Sequence, residues 1–154
     1  METTILETLA IISAGMMTGN ELCVSIFHAA QRRMEERTQF EVGKMSAAVF
    51  GKFMPFWYAA TLLLSGAVAY SKRGTSQASL LADTAAALFL VSIVYTVTLL
   101  VPINTRIASW QWDTRPSDWM QARQTWDTRH LLRVSLLVLA VVCLVLACLT
   151  RMGQ

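Results

Sequence analysis

The chain has 154 residues, of which 55% are hydrophobic and only 15% charged, and its mean hydropathy is +0.46. A soluble domain carries about 25% charged residues. Here the charges gather between long apolar stretches, which excludes an ordinary water-soluble domain and predicts one integral membrane domain over residues 1–154. The net charge of +3 and pI near 9.0 do not indicate a nucleic-acid partner, because the basic residues cluster at helix ends, as a topology signal does.

Four apolar spans follow in chain order. The first runs from about 5 to 30, and is interrupted by Glu7, Asn20, Glu21 and His28. It is too long for a signal-peptide core and no basic residue precedes it. Gly15 and Gly19 form a small-xxx-small pair, the pattern of close helix contact. The second span covers about 47–70, with Lys52 and Pro55 near its start. The third covers about 80–101 and is expected to stop at Pro102. The fourth starts near Ser117–Asp118, a suitable N-cap, and runs to about 150. Each stretch can cross roughly 30 Å of hydrocarbon at about 1.5 Å per residue. The expected fold is all-α, a four-transmembrane-helix antiparallel bundle. Cys23, Cys143 and Cys148 make neither a CxxC pair nor a zinc spacing.

Four spans put the 1–2 and 3–4 loops on one side and both termini with the 2–3 loop on the other. Ten of the thirteen Lys and Arg fall at the first side, against Lys72, Arg73 and Arg151 at the second. The positive-inside rule then predicts a bacterial inner-membrane protein with both termini outside and the ten-residue side in the cytoplasm.

An ionisable residue within a span costs about 2.5–3.5 kcal/mol on insertion, so it is retained for function or tightly paired. Glu21 and His28 are seven apart and share a helix face. Arg123, Asp127 and His130 share another at the start of span four, with Arg133 following. Asn104 lies just past Pro102. Glu21, His28, Asn104, Asp127 and His130 therefore reach one layer near the cytoplasmic end. Three readings follow. The groups form a structural hydrogen-bond network, with Asp127 paired to Arg123 or Arg133 and Glu21 held by Asn104. Alternatively, Glu21, His28, Asp127 and His130 hold a copper or iron ion. The third reading is a metal-free acid–base pair. Two histidines on facing helices also permit a haem, as a lesser alternative. Glu21 and His28 lie about 10 Å apart along the axis, which opposes both binding one ion.

Tryptophans crowd the same end. Trp110, Trp112, Trp119 and Trp126 fall in one short stretch and Trp57 lies in span two. They suit an interfacial belt. Trp126, beside Asp127 and one turn before His130, is the best placed to line a pocket for a flat apolar ligand.

Three runs carry a family resemblance: Gly19-Asn20-Glu21-Leu22 with His28; Val101-Pro102-Ile103-Asn104 through Trp110; and Pro116-Ser117-Asp118-Trp119 followed by Arg123, Trp126-Asp127, His130 and Arg133. Together they resemble the anthrone-oxygenase-like membrane family over nearly the whole chain. The middle matches only in hydropathy, and Ala29-Ala30 stands where the family pattern has a proline. The resemblance implies oxidation of a polycyclic aromatic by dioxygen, with site residues among Glu21, His28, Asn104, Trp110, Trp126, Asp127, His130 and Arg133.

The expected activity is a membrane-embedded oxygenase whose apolar substrate enters from the bilayer. His130 or His28 would be general base, tuned by Glu21 or Asp127, and Asn104 would stabilise a developing enolate oxygen. Trp126 and Trp110 would contact substrate, and Arg123 and Arg133 would position it and the carboxylates. The other expected partners are the lipid bilayer, dioxygen and further copies in a homo-oligomer. Two further classes compete: a proton-coupled transporter working through Glu21, and a structural subunit whose polar residues only lock the bundle.

Overall fold

The computed structural model describes residues 2–74 and 76–150. Arg151, counted above on the side of the termini, lies outside them. The described residues are almost entirely helical and antiparallel: α1 (Glu2–Gln31), α2 (Glu36–Ser71), α3 (Ser76–Tyr95), a π turn (Thr96–Leu100), α4 (Val101–Ser109), a 3-10 turn (Trp112–Thr114) and α5 (Trp119–Leu149). α3, the π turn and α4 form one rod, so four helices are long and apolar enough to cross a membrane. The protein is an all-α, four-helix integral membrane bundle. α1 packs on α2 and α5, and α3 packs on the same two, closing a ring of four.

Lipid, rather than water, explains the distribution of side-chain size. Small residues fill the interior at helical spacing: Ala10 and Ala14 on α1, Ala78, Ala82 and Ala85 on α3, Ala140 and Ala147 on α5. Large ones such as Leu63, Phe56 and Leu80 face outward. Apolar surface gains nothing by leaving lipid, so close backbone approach and interhelical polar bonds hold the helices together. Such a bond links Ser13 to Thr61 at 2.8 Å, between α1 and α2. At the end that carries the termini, Lys72 and Glu7 form an ion pair at 2.6 Å.

Several boundaries differ from those read in the sequence. The close contact expected at Gly15 and Gly19 is absent. Both are exposed, and a Cβ added at either would meet nothing within 4 Å. Ala10, Ala14 and Met17 make the α1 contact instead. α2 begins at Glu36, well before residue 47, because its polar first turns cover the bundle end. Phe40 is buried there between Trp112 and Trp119, each with ring centroids 5.6 Å away.

Pro102 does not end the third span. The preceding π turn shifts the ladder, so that the Val101 amide donates to Thr96 O, five residues back. Pro102 then sits in the first turn of α4, where its missing N–H costs least. Arg129 donates to Leu99 O at 3.2 Å within the π turn. α5 starts one residue after Asp118 as expected, but the Asp118 side chain makes no cap hydrogen bond.

Candidate functional site

Two polar clusters occupy the interior toward the 1–2 and 3–4 loop end. The deeper one centres on Glu21, which is almost fully buried. Its Oε1 accepts from Tyr58 Oη at 2.8 Å, and its Oε2 accepts from Arg133 Nη2. Arg133 Nη1 donates to Thr96 Oγ1 at 3.2 Å, on the π turn. The other partner of Arg133 Nη2 is His130 Nδ1, at 2.8 Å. A guanidinium can only donate, so Nδ1 accepts and the ring proton is on Nε2, facing Glu21 O at 3.1 Å. Both nitrogens of His130 and both oxygens of Glu21 are thus engaged. Taking a full charge into lipid is tolerated because Glu21 and Arg133 neutralise one another.

The second cluster is nearer the loops. His28 Nδ1 lies 3.2 Å from Asp127 Oδ1. A carboxylate accepts, so this contact puts the proton on Nδ1 and leaves the lone pair of Nε2 free. Nε2 is buried and has no partner. Arg123 Nε stands 3.5 Å from the same Asp127 oxygen, and Arg32 Nε 3.8 Å from the other. Arg123 also donates to Gln31 Oε1 at 3.0 Å. Gly43 makes this possible, since a Cβ there would collide with the Arg123 guanidinium.

Trp126 joins the clusters. Its ring stacks on His130 with centroids 4.6 Å apart and planes 11° apart, and lies 5.0 Å from His28. Its Nε1 is buried without a partner.

His28, Trp126, Tyr58 and the two arginines form the polar edge of a cavity with about 210 Å3 in which the centre of a water molecule can sit. The rest of its wall is mainly apolar, from Val24, Phe50, Met54, Ile93, Val97 and Leu100. A second space, about 220 Å3 by the same measure, lies on the other side of His28 and Arg123. It is a vestibule lined by Gln31, Arg32, Gln39, Gln124 and Asp127 together with Trp119 and Met120. His28 and Arg123 belong to both walls and form a partition.

Glu21, His28, Asn104, Arg123, Trp126 and Arg133 line the apolar cavity, and Asp127 and His130 support it from behind. Trp110 does not line it and instead caps α4, with the Arg106 guanidinium 5.8 Å from its ring. Asn104 does not hold Glu21; its Nδ2 donates to Ala47 O at 3.1 Å, joining α4 to α2. Arg133 pairs with Glu21 and Arg123 with Asp127. Span two supplies Tyr58, whereas Trp57 packs against Phe53 and the core.

The donor set does not fit a metal. The four candidate ligands are divided into two pairs, each with an arginine in place. Among the described residues no three His, Cys, Asp or Glu converge on a common point. A haem between the histidines does not fit either, because Trp126 is packed against both rings.

The profile of the family described as anthrone oxygenase matches residues 45–143, more than half of the chain. The chain belongs to that family. The matched stretch holds Tyr58, Asn104, Arg123, Trp126, Asp127, His130 and Arg133, while Glu21 and His28 precede it on α1. No curated protein and no solved structure matches the chain.

Proposed function

We propose that this protein is a membrane-embedded oxygenase that converts the ring CH2 of an anthrone-like polycyclic ketone to a carbonyl with dioxygen, using His28 as general base. The observation that carries this reading is the buried, unpartnered Nε2 of His28, a residue that lines an apolar cavity and has Asp127 at its other nitrogen. The family supplies the reaction class.

His28 Nε2 removes one proton from the CH2 carbon, and the electron pair delocalises onto the ketone oxygen. The resulting His28 imidazolium is stabilised by the Asp127 carboxylate. The anion passes one electron to dioxygen, and the radical pair joins at the same carbon, forming a C–O bond. The peroxide takes its proton from His28. Loss of the second C–H proton with cleavage of the O–O bond releases water and leaves the new carbonyl. The balance is CH2 plus O2 giving C=O plus H2O. The polar side chains around the vestibule behind Asp127 offer the partition a route for protons, while the mainly apolar wall of the cavity disfavours water beside the carbanion.

The excess of basic residues at the loop end supports a site toward the cytoplasmic face, with the termini outside. A transport reading needs a Glu21 free to gain and lose a proton, and its pairing with Arg133 and Tyr58 supports a structural role instead.

The test is dioxygen uptake by the purified protein in lipid nanodiscs with an anthrone as substrate. The expected result is one dioxygen consumed per quinone formed, with turnover in His28→Gln lowered about 10²–10⁴-fold at unchanged folding. Full turnover in that variant, or no turnover by the parent protein, would overturn the assignment.

A further inference from the structure

The indole of Trp126 poses a chemical question of its own. A buried Trp N–H ordinarily finds an acceptor, and one left without a partner is an unfilled bond at a site that expects one. Trp126 Nε1 is buried and unpaired, and the residue lines the apolar cavity. The ring is not free to turn. It stacks on His130 at 4.6 Å, has His28 against it at 5.0 Å, and lies 5.8 Å from the Arg123 guanidinium carbon. His130 is itself fixed at both nitrogens, by Arg133 and Glu21 O. The Glu21–Arg133–His130 cluster therefore acts as the mount for the indole.

Asn104, the residue expected to hold a developing oxyanion, is a poorer candidate. Its amide nitrogen already spends one of its two N–H donors on Ala47 O, which holds it to the α4–α2 contact. Arg133 keeps one unpaired nitrogen, Nε, but its terminal nitrogens are all directed to Glu21, Thr96 and His130.

From this geometry we infer that Trp126 Nε1–H is the hydrogen-bond donor to the substrate's ketone oxygen, so that Trp126 and His28 hold the two ends of one enolising unit. The inference rests on the cavity being the substrate site. It makes Trp126 a catalytic residue, and it makes the site selective for ring systems bearing an acceptor oxygen over hydrocarbons of the same shape. The bond strengthens as negative charge moves onto the oxygen, so its loss lowers kcat more than it raises KM.

Two ligands of matched outline separate this from packing. Anthraquinone carries carbonyl oxygens and anthracene carries none. In Trp126→Phe, anthraquinone should bind about three- to tenfold more weakly than to the parent protein, with anthracene little changed. The carbonyl stretch of bound anthraquinone should be shifted down in the parent protein and return toward its value in hydrocarbon solvent in the variant. If Trp126→Phe fails to fold, replacing Trp126 with benzothienylalanine keeps the stacked bicycle and deletes only the N–H. Equal weakening of both ligands, or an unshifted carbonyl band in the parent protein, overturns the inference. Failure of both ligands to bind overturns the substrate-site reading and this inference with it. Should His28→Gln keep full turnover while the carbonyl shift depends on Trp126, the base assignment fails and the donor stands.

Discussion

Replacing Arg133 with methionine exposes how the bundle tolerates a carboxylate in its interior. Glu21 is 3% exposed and Arg133 6%. The substitution keeps most of the side-chain length but removes the donors to Glu21, His130 and Thr96. It leaves the buried Glu21 charge with Tyr58 as its remaining hydrogen-bond donor and His130 Nδ1 3.5 Å away. Removing one partner of a buried pair costs about 3–5 kcal/mol. For a chain of this size each kcal/mol lowers Tm by about 2–4 °C, so the variant should melt roughly 6–20 °C below the parent protein. The assay is thermal unfolding in detergent, followed by circular dichroism. The double variant Glu21→Gln with Arg133→Met removes both charges and should recover much of the loss, a coupling that distant sites do not show. A single variant within about 1 kcal/mol of the parent protein, or a double variant whose loss is the sum of the two singles, would refute the reasoning.

Two further outcomes follow from the same geometry. Gly43→Ala and Gly66→Ala both lie in α2, where alanine is favoured over glycine by about 0.5–1 kcal/mol. Gly66→Ala, with open space around it, should raise Tm, whereas Gly43→Ala should lower both Tm and turnover by displacing the Arg123 guanidinium from Gln31 and Asp127; a rise in Tm at both positions contradicts the packing described. Asp127→Asn should leave the fold intact but lower kcat by about 10²–10⁴-fold through loss of the imidazolium partner and of the Nδ1–H tautomer. Steady-state kinetics with unchanged KM would support this, and an unaltered kcat would remove Asp127 from the mechanism.

Much of the fold is legible in the hydropathy alone, because a helix that crosses lipid must be long, apolar and internally hydrogen-bonded. Helical spacing also brings Glu21, His28, Asp127, His130 and Arg133 to one end. Pairing is harder to read. Helix rotation decides which partner each charge meets, and it paired Glu21 with Arg133 rather than Asn104. Pro102 shows a similar limit, since the π turn that accommodates it arises from a ladder shift that no residue pattern announces. Gly15 and Gly19 fit the pattern of a contact face yet face outward, because Ala10, Ala14 and Met17 offer an equally close surface one quarter-turn away. Tyr58 was concealed in the run of apolar residues after Pro55. The signal that could have singled it out is a hydroxyl in mid-span, which must find an acceptor such as Glu21. His28 differs from His130 in its free Nε2, its Asp127 partner and its place on the cavity wall, and helix rotation rather than spacing decides all three.

The most direct test of the central claim is deuterium wash-in at the anthrone CH2, measured by NMR without dioxygen in D2O. His28 abstracting the proton and exchanging it with solvent through the vestibule predicts exchange well above the uncatalysed rate in the parent protein, and exchange at the uncatalysed rate in His28→Gln. Equal exchange in the two proteins would contradict His28 as the base.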